Sequence, residues 1–198
     1  LACESEVQSR IVQFKKKQWL VKNGPFKAKD FAKLPEQNWT LLVQSVNHHL
    51  PEAAALLEQF NFIPHARLDD LMVSYATMGG SVGAHVDSYD VFLLQAHGQR
   101  KWRIGRQKKF ELQEGVPLKI LKEFKPEAEF VLNPGDMLYL PPGYAHDGIA
   151  QGECMTYSIG FRIPNRAELA RELLQRLAED AEDAVGVGLY RDPDQPAV

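Results

Sequence analysis

The chain has only two cysteines, Cys3 and Cys154, and no C-x-x-C spacing. That excludes a disulfide framework and a thiolate zinc knuckle, and both thiols are expected to be small buried residues in a reducing cytosol. No apolar run approaches the roughly 18 to 20 residues that a bilayer-spanning helix needs, and the opening residues show no signal pattern, so no membrane is expected. Positive charge is also scarce: 23 Lys and Arg face 26 Asp and Glu, for a formal net charge of -3. A broad basic surface for bare nucleic acid is therefore not expected, whereas a basic protein partner is compatible with this balance. No internal repeat of solenoid period is present.

What the chain does have is 44% hydrophobic residues in a length of 198, enough for one sizeable core and marginal for two. Its 12 prolines and 14 glycines fall mostly between short apolar runs, as in a protein rich in strands and turns. The first thirty or so residues are mixed and charged, with Trp19-Leu20-Val21 strand-like and Asn23-Gly24-Pro25 a turn. The spacing of Leu41, Leu42, Val46 and His49 predicts a helix capped by Asn38, and Pro51 opens a second helix through Ala53 to Leu57. Six strand-like runs follow: Leu71 to Thr77, Val91 to Gln95, Lys101 to Ile104, Phe130 to Leu132, Met137 to Leu140 and Met155 to Ile163. Short strands at this spacing predict a sandwich or barrel rather than a parallel sheet. Beyond Pro164, Asn165 and Glu168 form a capping box for a helix with Leu169, Leu173, Leu174 and Leu177 on one face. The chain opens at Leu1 and stops at Gln195-Pro196-Ala197-Val198 without a terminal element; it is expected to be a piece of a longer polypeptide.

Two separated segments carry the chemistry. His85 and Asp87 share parity, so on a strand both project to one face, about 6 to 7 Å apart. Asp90 has the opposite parity. Pro141-Pro142-Gly143-Tyr144-Ala145-His146 fixes a further imidazole after a rigid bend. Two histidines and one carboxylate can occupy one face of a ferrous ion and leave the other face free, whereas structural zinc favours a closed site richer in sulfur or nitrogen. Gly80 ahead of His85, and the run Gly135, Pro141, Gly143 and His146, are the two half-motifs of a cupin, or double-stranded β-helix. Arg100 shares a strand face with Trp102 and Ile104, and a cation pointing into a barrel calls for an anion to meet it. That anion is either a dicarboxylate cosubstrate or an internal carboxylate; alternatively Lys101 and Arg103 are the inward pair. His48, His49, His65 and His97 read as surface or capping residues, and Lys15-Lys16-Lys17 as a solvated turn.

Several runs together closely resemble the bacterial ribosomal oxygenases of the Jumonji-C group. They are Asp69-Asp70-Leu71-Met72, Gly79-Gly80-Ser81-Val82-Gly83, His85 through Phe92, Gly98-Gln99-Arg100-Lys101-Trp102, Pro134 through Gly143 with His146, and Tyr157 through Arg162. The resemblance covers nearly the whole chain. It implies a mostly β fold with flanking helices around a double-stranded β-helix (cupin, jelly-roll) core. The segments would be a flank at 1–66, the Jumonji-C core at 67–164, and a helix beginning a truncated region at 165–198. It implies that His85, Asp87 and His146 bind Fe(II), and that Arg100 holds 2-oxoglutarate with help from Ser74 and from Thr156 and Ser158. Tyr75, Tyr89 and Asp90 would face the substrate. The implied reaction uses O2 and 2-oxoglutarate to hydroxylate an arginine β-carbon in a large-subunit ribosomal protein, in the cytoplasm, without direct nucleic-acid binding. The whole protein of such a family is a homodimer. A Jumonji-C demethylase and a non-redox metal-binding cupin are the competing expectations.

Overall fold

Short apolar runs separated by turn residues pair antiparallel, and the computed structural model, which describes residues 1–107 and 109–188, contains eleven strands among them. The strands are β1 (Ser9–Lys15), β2 (Gln18–Asn23), β3 (Trp39–Val43), β4 (Leu68–Ala76), β5 (His85–Val86), β6 (Val91–His97), β7 (Arg100–Arg106), β8 (Ala128–Leu132), β9 (Met137–Leu140), β10 (Tyr144–Ala150) and β11 (Cys154–Phe161). Helices α1 (Ala28–Phe31) and α2 (Pro51–Glu58) interrupt the first half, and α3 (Arg166–Glu179) and α4 (Ala181–Val185) follow the strands. Residues Leu1–Ile163 form one compact unit and Pro164–Val198 a second.

In the first unit the strands make a seven-stranded sheet, β2-β1-β3-β4-β11-β6-β9, and a four-stranded sheet, β5-β10-β7-β8. Every pairing is antiparallel. This is the mostly β, double-stranded β-helix architecture. The run Val91-Phe92-Leu93-Leu94 of β6 is apolar at successive positions because both faces of its sheet are covered. Val91 and Leu93 pack with Trp102, Leu132 and Leu140. Phe92 and Leu94 join the other cluster, where Phe60, Leu71, Ile159, Phe161 and Leu57 of α2 are buried.

The expected helix through Leu41, Leu42 and Val46 is not formed. Residues 39–43 are β3, hydrogen-bonded to β1 on one side and β4 on the other, and only a 3-10 turn at Val46–His48 follows. Trp-Thr-Leu-Leu-Val is rich in strand formers, and two ladders outweigh a helical spacing. Asn38 is not a cap; it sits at φ 66, where its N–H donates to the Met78 carbonyl. Pro51 opens α2 as expected. Lys16 and Lys17 take positive φ in the tight β1–β2 turn. Cys154 is buried, but Cys3 is exposed rather than buried.

In the second unit, Asn165 and Glu168 close the expected capping box on α3, each side chain accepting from the other's backbone N–H at 2.9 Å. The expectation for residues 195–198 lies outside the described residues. No helix among the described residues is long and apolar enough to cross a membrane.

Candidate metal centre

Strand register brings the two motif segments together. β5 pairs with β10 so that His85 lies directly opposite His146. His146 therefore sits within a strand rather than on the Pro-Pro-Gly bend. Asp87, two residues after His85, keeps the same side. One donor atom each from His85, Asp87 and His146 lie within 4.8 Å of one another, and these three make up the group among the described residues. The His146 Nε2 to Asp87 Oδ2 distance is 3.6 Å, and the two imidazole centroids are 4.2 Å apart.

Each ring is oriented from behind. His85 Nδ1 is 2.9 Å from the Gly83 carbonyl, and His146 Nδ1 is 3.1 Å from the Tyr144 carbonyl. A carbonyl only accepts, so each Nδ1 donates and each Nε2 is the ring nitrogen left to face a metal. Burial, reinforced by the His85 imidazole, outweighs the pull of Asp87 and pushes His146 down to about 4. It is neutral at pH 7 and ready to ligate. The sign of the linkage follows. The unfolded imidazole, near its usual ~6.5, takes up a proton before the folded one does. Stability of the metal-free protein is expected to fall as pH drops from ~6.5 towards 4, which denaturant melts at stepped pH would measure.

The two nitrogens and one carboxylate oxygen fit a divalent metal with several adjacent positions left for exogenous ligands. They border a cavity of about 270 Å³ that Met72, Ser74, Leu93, Arg100, Trp102 and Ser158 also line. At its floor Arg100 is only 5% exposed. Its Nη1 donates to Ser74 Oγ at 3.2 Å, while Nε and Nη2 have no hydrogen-bond partner. A buried guanidinium with two idle donors is costly unless an anion meets it, and a carboxylate fits that fork bidentately. Lys101 and Arg103 take the other parity, pairing with Glu129 and Asp147.

Ser74 and Thr156 face each other across the β4–β11 ladder. Ser74 Oγ donates to the Thr156 carbonyl at 3.2 Å, and Thr156 Oγ1 donates to Gln95 Oε1 at 2.9 Å. Ser158, two residues on, lines the cavity, as does Tyr89. Burial, then the Asp87, Asp70 and Asp69 carboxylates, push the Tyr89 phenol up. Two expected substrate residues lie elsewhere. Tyr75 has the opposite parity to Ser74 and packs tilted against Trp39, with ring centroids 5.5 Å apart. Asp90 accepts from the Tyr139 hydroxyl at 2.7 Å and pairs with Arg67 at 3.4 Å, and it is not among the cavity-lining residues. His48 is exposed, as expected, and also borders the cavity.

Gln95 escaped the sequence reading. It is fully buried, its amide donating to the His97 carbonyl at 2.8 Å. The available signal was a polar residue in parity with Val91 and Leu93 on an apolar strand.

The chain is 44% identical over 203 residues to the ribosomal protein uL16 3-hydroxylase of Escherichia coli, covering 99% of this chain and 52% of that protein. It is 42% identical to a probable ribosomal oxygenase of Haemophilus influenzae, covering 85% of this chain and 43% of that one. The solved structure of YcfD, a ribosomal oxygenase from Escherichia coli, in complex with cobalt and 2-oxoglutarate matches with a TM-score of 0.77 at 42% identity, covering 100% of this chain and 50% of that chain. The chain thus spans about half the length of the curated relatives it matches. The JmjC domain family model matches residues 55–169, more than half of the sequence, and the chain belongs to the JmjC-domain family.

Proposed function

We propose that this chain is the oxygenase core of an Fe(II)- and 2-oxoglutarate-dependent enzyme that hydroxylates the β-carbon of an arginine side chain in a large-subunit ribosomal protein. The observation that carries it is the buried Arg100 fork, with Nε and Nη2 unpartnered, lining the same cavity as the three ligands. Names of the relatives support the substrate class. The whole protein would act in the cytoplasm as a homodimer, without direct nucleic-acid contact.

His85, Asp87 and His146 would hold the metal. Fe(II), when bound with 2-oxoglutarate and O2, supplies the oxidation of a C–H bond to C–OH, coupled to decarboxylation of 2-oxoglutarate to succinate. Arg100 would bind the distal carboxylate, with Ser74 steadying the guanidinium and Thr156 and Gln95 steadying Ser74. Val91, Leu93 and Trp102 present apolar walls that limit water around the reacting groups. Tyr89, with Asp69 and Asp70 nearby, would make the mouth attractive to a cationic side chain.

Incubation with Fe(II), 2-oxoglutarate, O2 and separated large-subunit ribosomal proteins is expected to add one oxygen atom to one arginine-containing peptide, read by tandem mass spectrometry. Succinate formation with no ribosomal protein oxidised would overturn the substrate assignment. Absence of a visible charge-transfer band on anaerobic addition of Fe(II) and 2-oxoglutarate would overturn the oxygenase and favour a cupin that only binds metal.

A further inference from the structure

His146 and its neighbour Asp147 point to opposite faces of β10, one toward the metal-ligand cluster and one away. Asp147 is nonetheless only 4% exposed. Across the β7–β10 ladder it lies opposite Arg103, whose guanidinium pairs with Asp147 Oδ2 and sits over the Phe124 ring. The other carboxylate oxygen, Oδ1, accepts from Ser81 Oγ at 2.7 Å. Ser81 Oγ in turn accepts from the Gly83 N–H at 3.0 Å. The hydroxyl has one proton, and Asp147 takes it, so the direction of that link is fixed. Gly83 then presents its carbonyl to His85 Nδ1 at 2.9 Å.

The chain of contacts therefore runs from a partly buried ion pair, through one hydroxyl and one peptide, to a proposed metal ligand. The intervening loop is held at its ends as well. The Ala150 N–H donates to the Gly80 carbonyl at 3.0 Å, the Gly79 N–H donates to the Ala150 carbonyl at 2.9 Å, and the Leu121 N–H donates to the Ala84 carbonyl at 2.8 Å. Gly83 lies at φ +82, and a Cβ there would come within 2.9 Å of Ile120 and 3.0 Å of Trp19. Among these restraints, the Ser81 hydroxyl is the one that ties the loop's centre to β10.

We propose that Ser81 and Asp147 are positioning residues for the metal site: Asp147, anchored by Arg103, holds Ser81 and thereby aims the imidazole of His85. One strand pair, His146 and Asp147, would thus supply one ligand inward and orient the other ligand from outside. The proposal rests on the metal-binding role given above to His85, Asp87 and His146. It adds residues that do not touch the metal.

Cobalt(II) titration of the chain, followed by visible absorption, tests it. Ser81→Ala is expected to weaken Co(II) binding by about 10-fold, the lower end of what losing an outer partner of a ligating histidine costs, because the Gly83 carbonyl itself remains on His85. Ser81→Thr, which keeps the hydroxyl, is expected to stay within about threefold of the parent. Asp147→Asn, which keeps an acceptor but releases Arg103, should fall between them. Thermal melts of the metal-free variants provide the second measurement, and a folded Ser81→Ala protein with weakened cobalt binding supports the assignment. Ser81→Ala and Asp147→Asn both binding Co(II) like the parent would overturn it, and so would equal losses in Ser81→Ala and Ser81→Thr. Failure of the parent chain itself to bind Co(II) would remove the metal-site assignment and this one with it.

Discussion

Asp87→Ala is expected to lower Fe(II) or Co(II) affinity by at least about a thousandfold, more than the roughly 10- to 100-fold that an outer partner is worth, and to abolish arginine hydroxylation. Asp87 is the sole anion of the three-donor group. Without it two neutral imidazoles must hold a divalent charge alone, and the facial geometry is lost. The fold should tolerate the change. Asp87 contributes to local structure through its backbone carbonyl, which accepts from the Gly143 N–H at 2.9 Å, and alanine keeps that contact. Asp87→Asn separates charge from shape, since the amide oxygen can still reach the ion but brings no charge; it should bind better than alanine and far worse than the parent. Calorimetric titration with Co(II), alongside the mass-spectrometric assay, measures both. An Asp87→Ala protein that binds within about tenfold of the parent would sink the proposed ligand set.

That such a set is legible in the sequence follows from the shortness of the information involved. His85 and Asp87 share a face by parity alone, and the second segment is marked by its prolines and glycines. What parity cannot supply is the partner strand. β10, Tyr-Ala-His-Asp-Gly-Ile-Ala, contains a glycine and an aspartate and has little strand propensity of its own. It forms because β5 and β7 flank it, and because Gly148 leaves room for the Trp102 ring, which a Cβ would meet at 2.7 Å. The same long-range pairing turned the segment after Asn38 from an expected helix into β3. Side-chain roles outside the ligand set depend on which neighbour claims each group. Asp90 is taken by Arg67 and Tyr139, and Tyr75 by Trp39, whereas Tyr89, beside Asp90 in sequence, keeps its place on the cavity wall. Local spacing does not encode those competitions. Arg100 was legible only in part: its parity with Trp102 and Ile104 marked it, but spacing left Lys101 and Arg103 as the alternative inward pair until the β7–β10 ladder fixed the face.

Removing that cation should impair cosubstrate binding without destabilising the empty protein. Arg100→Ala or Arg100→Met is expected to raise the 2-oxoglutarate requirement by about 30- to 1,000-fold, which corresponds to the roughly 2 to 4 kcal/mol of a desolvated charge-assisted pair. The same change should not lower, and for the volume-matched methionine should raise, the melting temperature of the protein without cosubstrate. In that state the guanidinium is buried with two donors idle, and replacing an uncompensated buried charge with an apolar side chain relieves a desolvation cost. A structural arginine would behave otherwise: its loss would destabilise the empty protein and leave the cosubstrate requirement largely unmoved. Arg100→Lys should fall between, because a point charge replaces a planar fork but can still reach one carboxylate oxygen. Steady-state kinetics in 2-oxoglutarate and thermal melts with and without it separate these outcomes. An unaltered requirement in Arg100→Met, with a lowered melting temperature, would take Arg100 out of the cosubstrate site and assign it to the framework of the barrel.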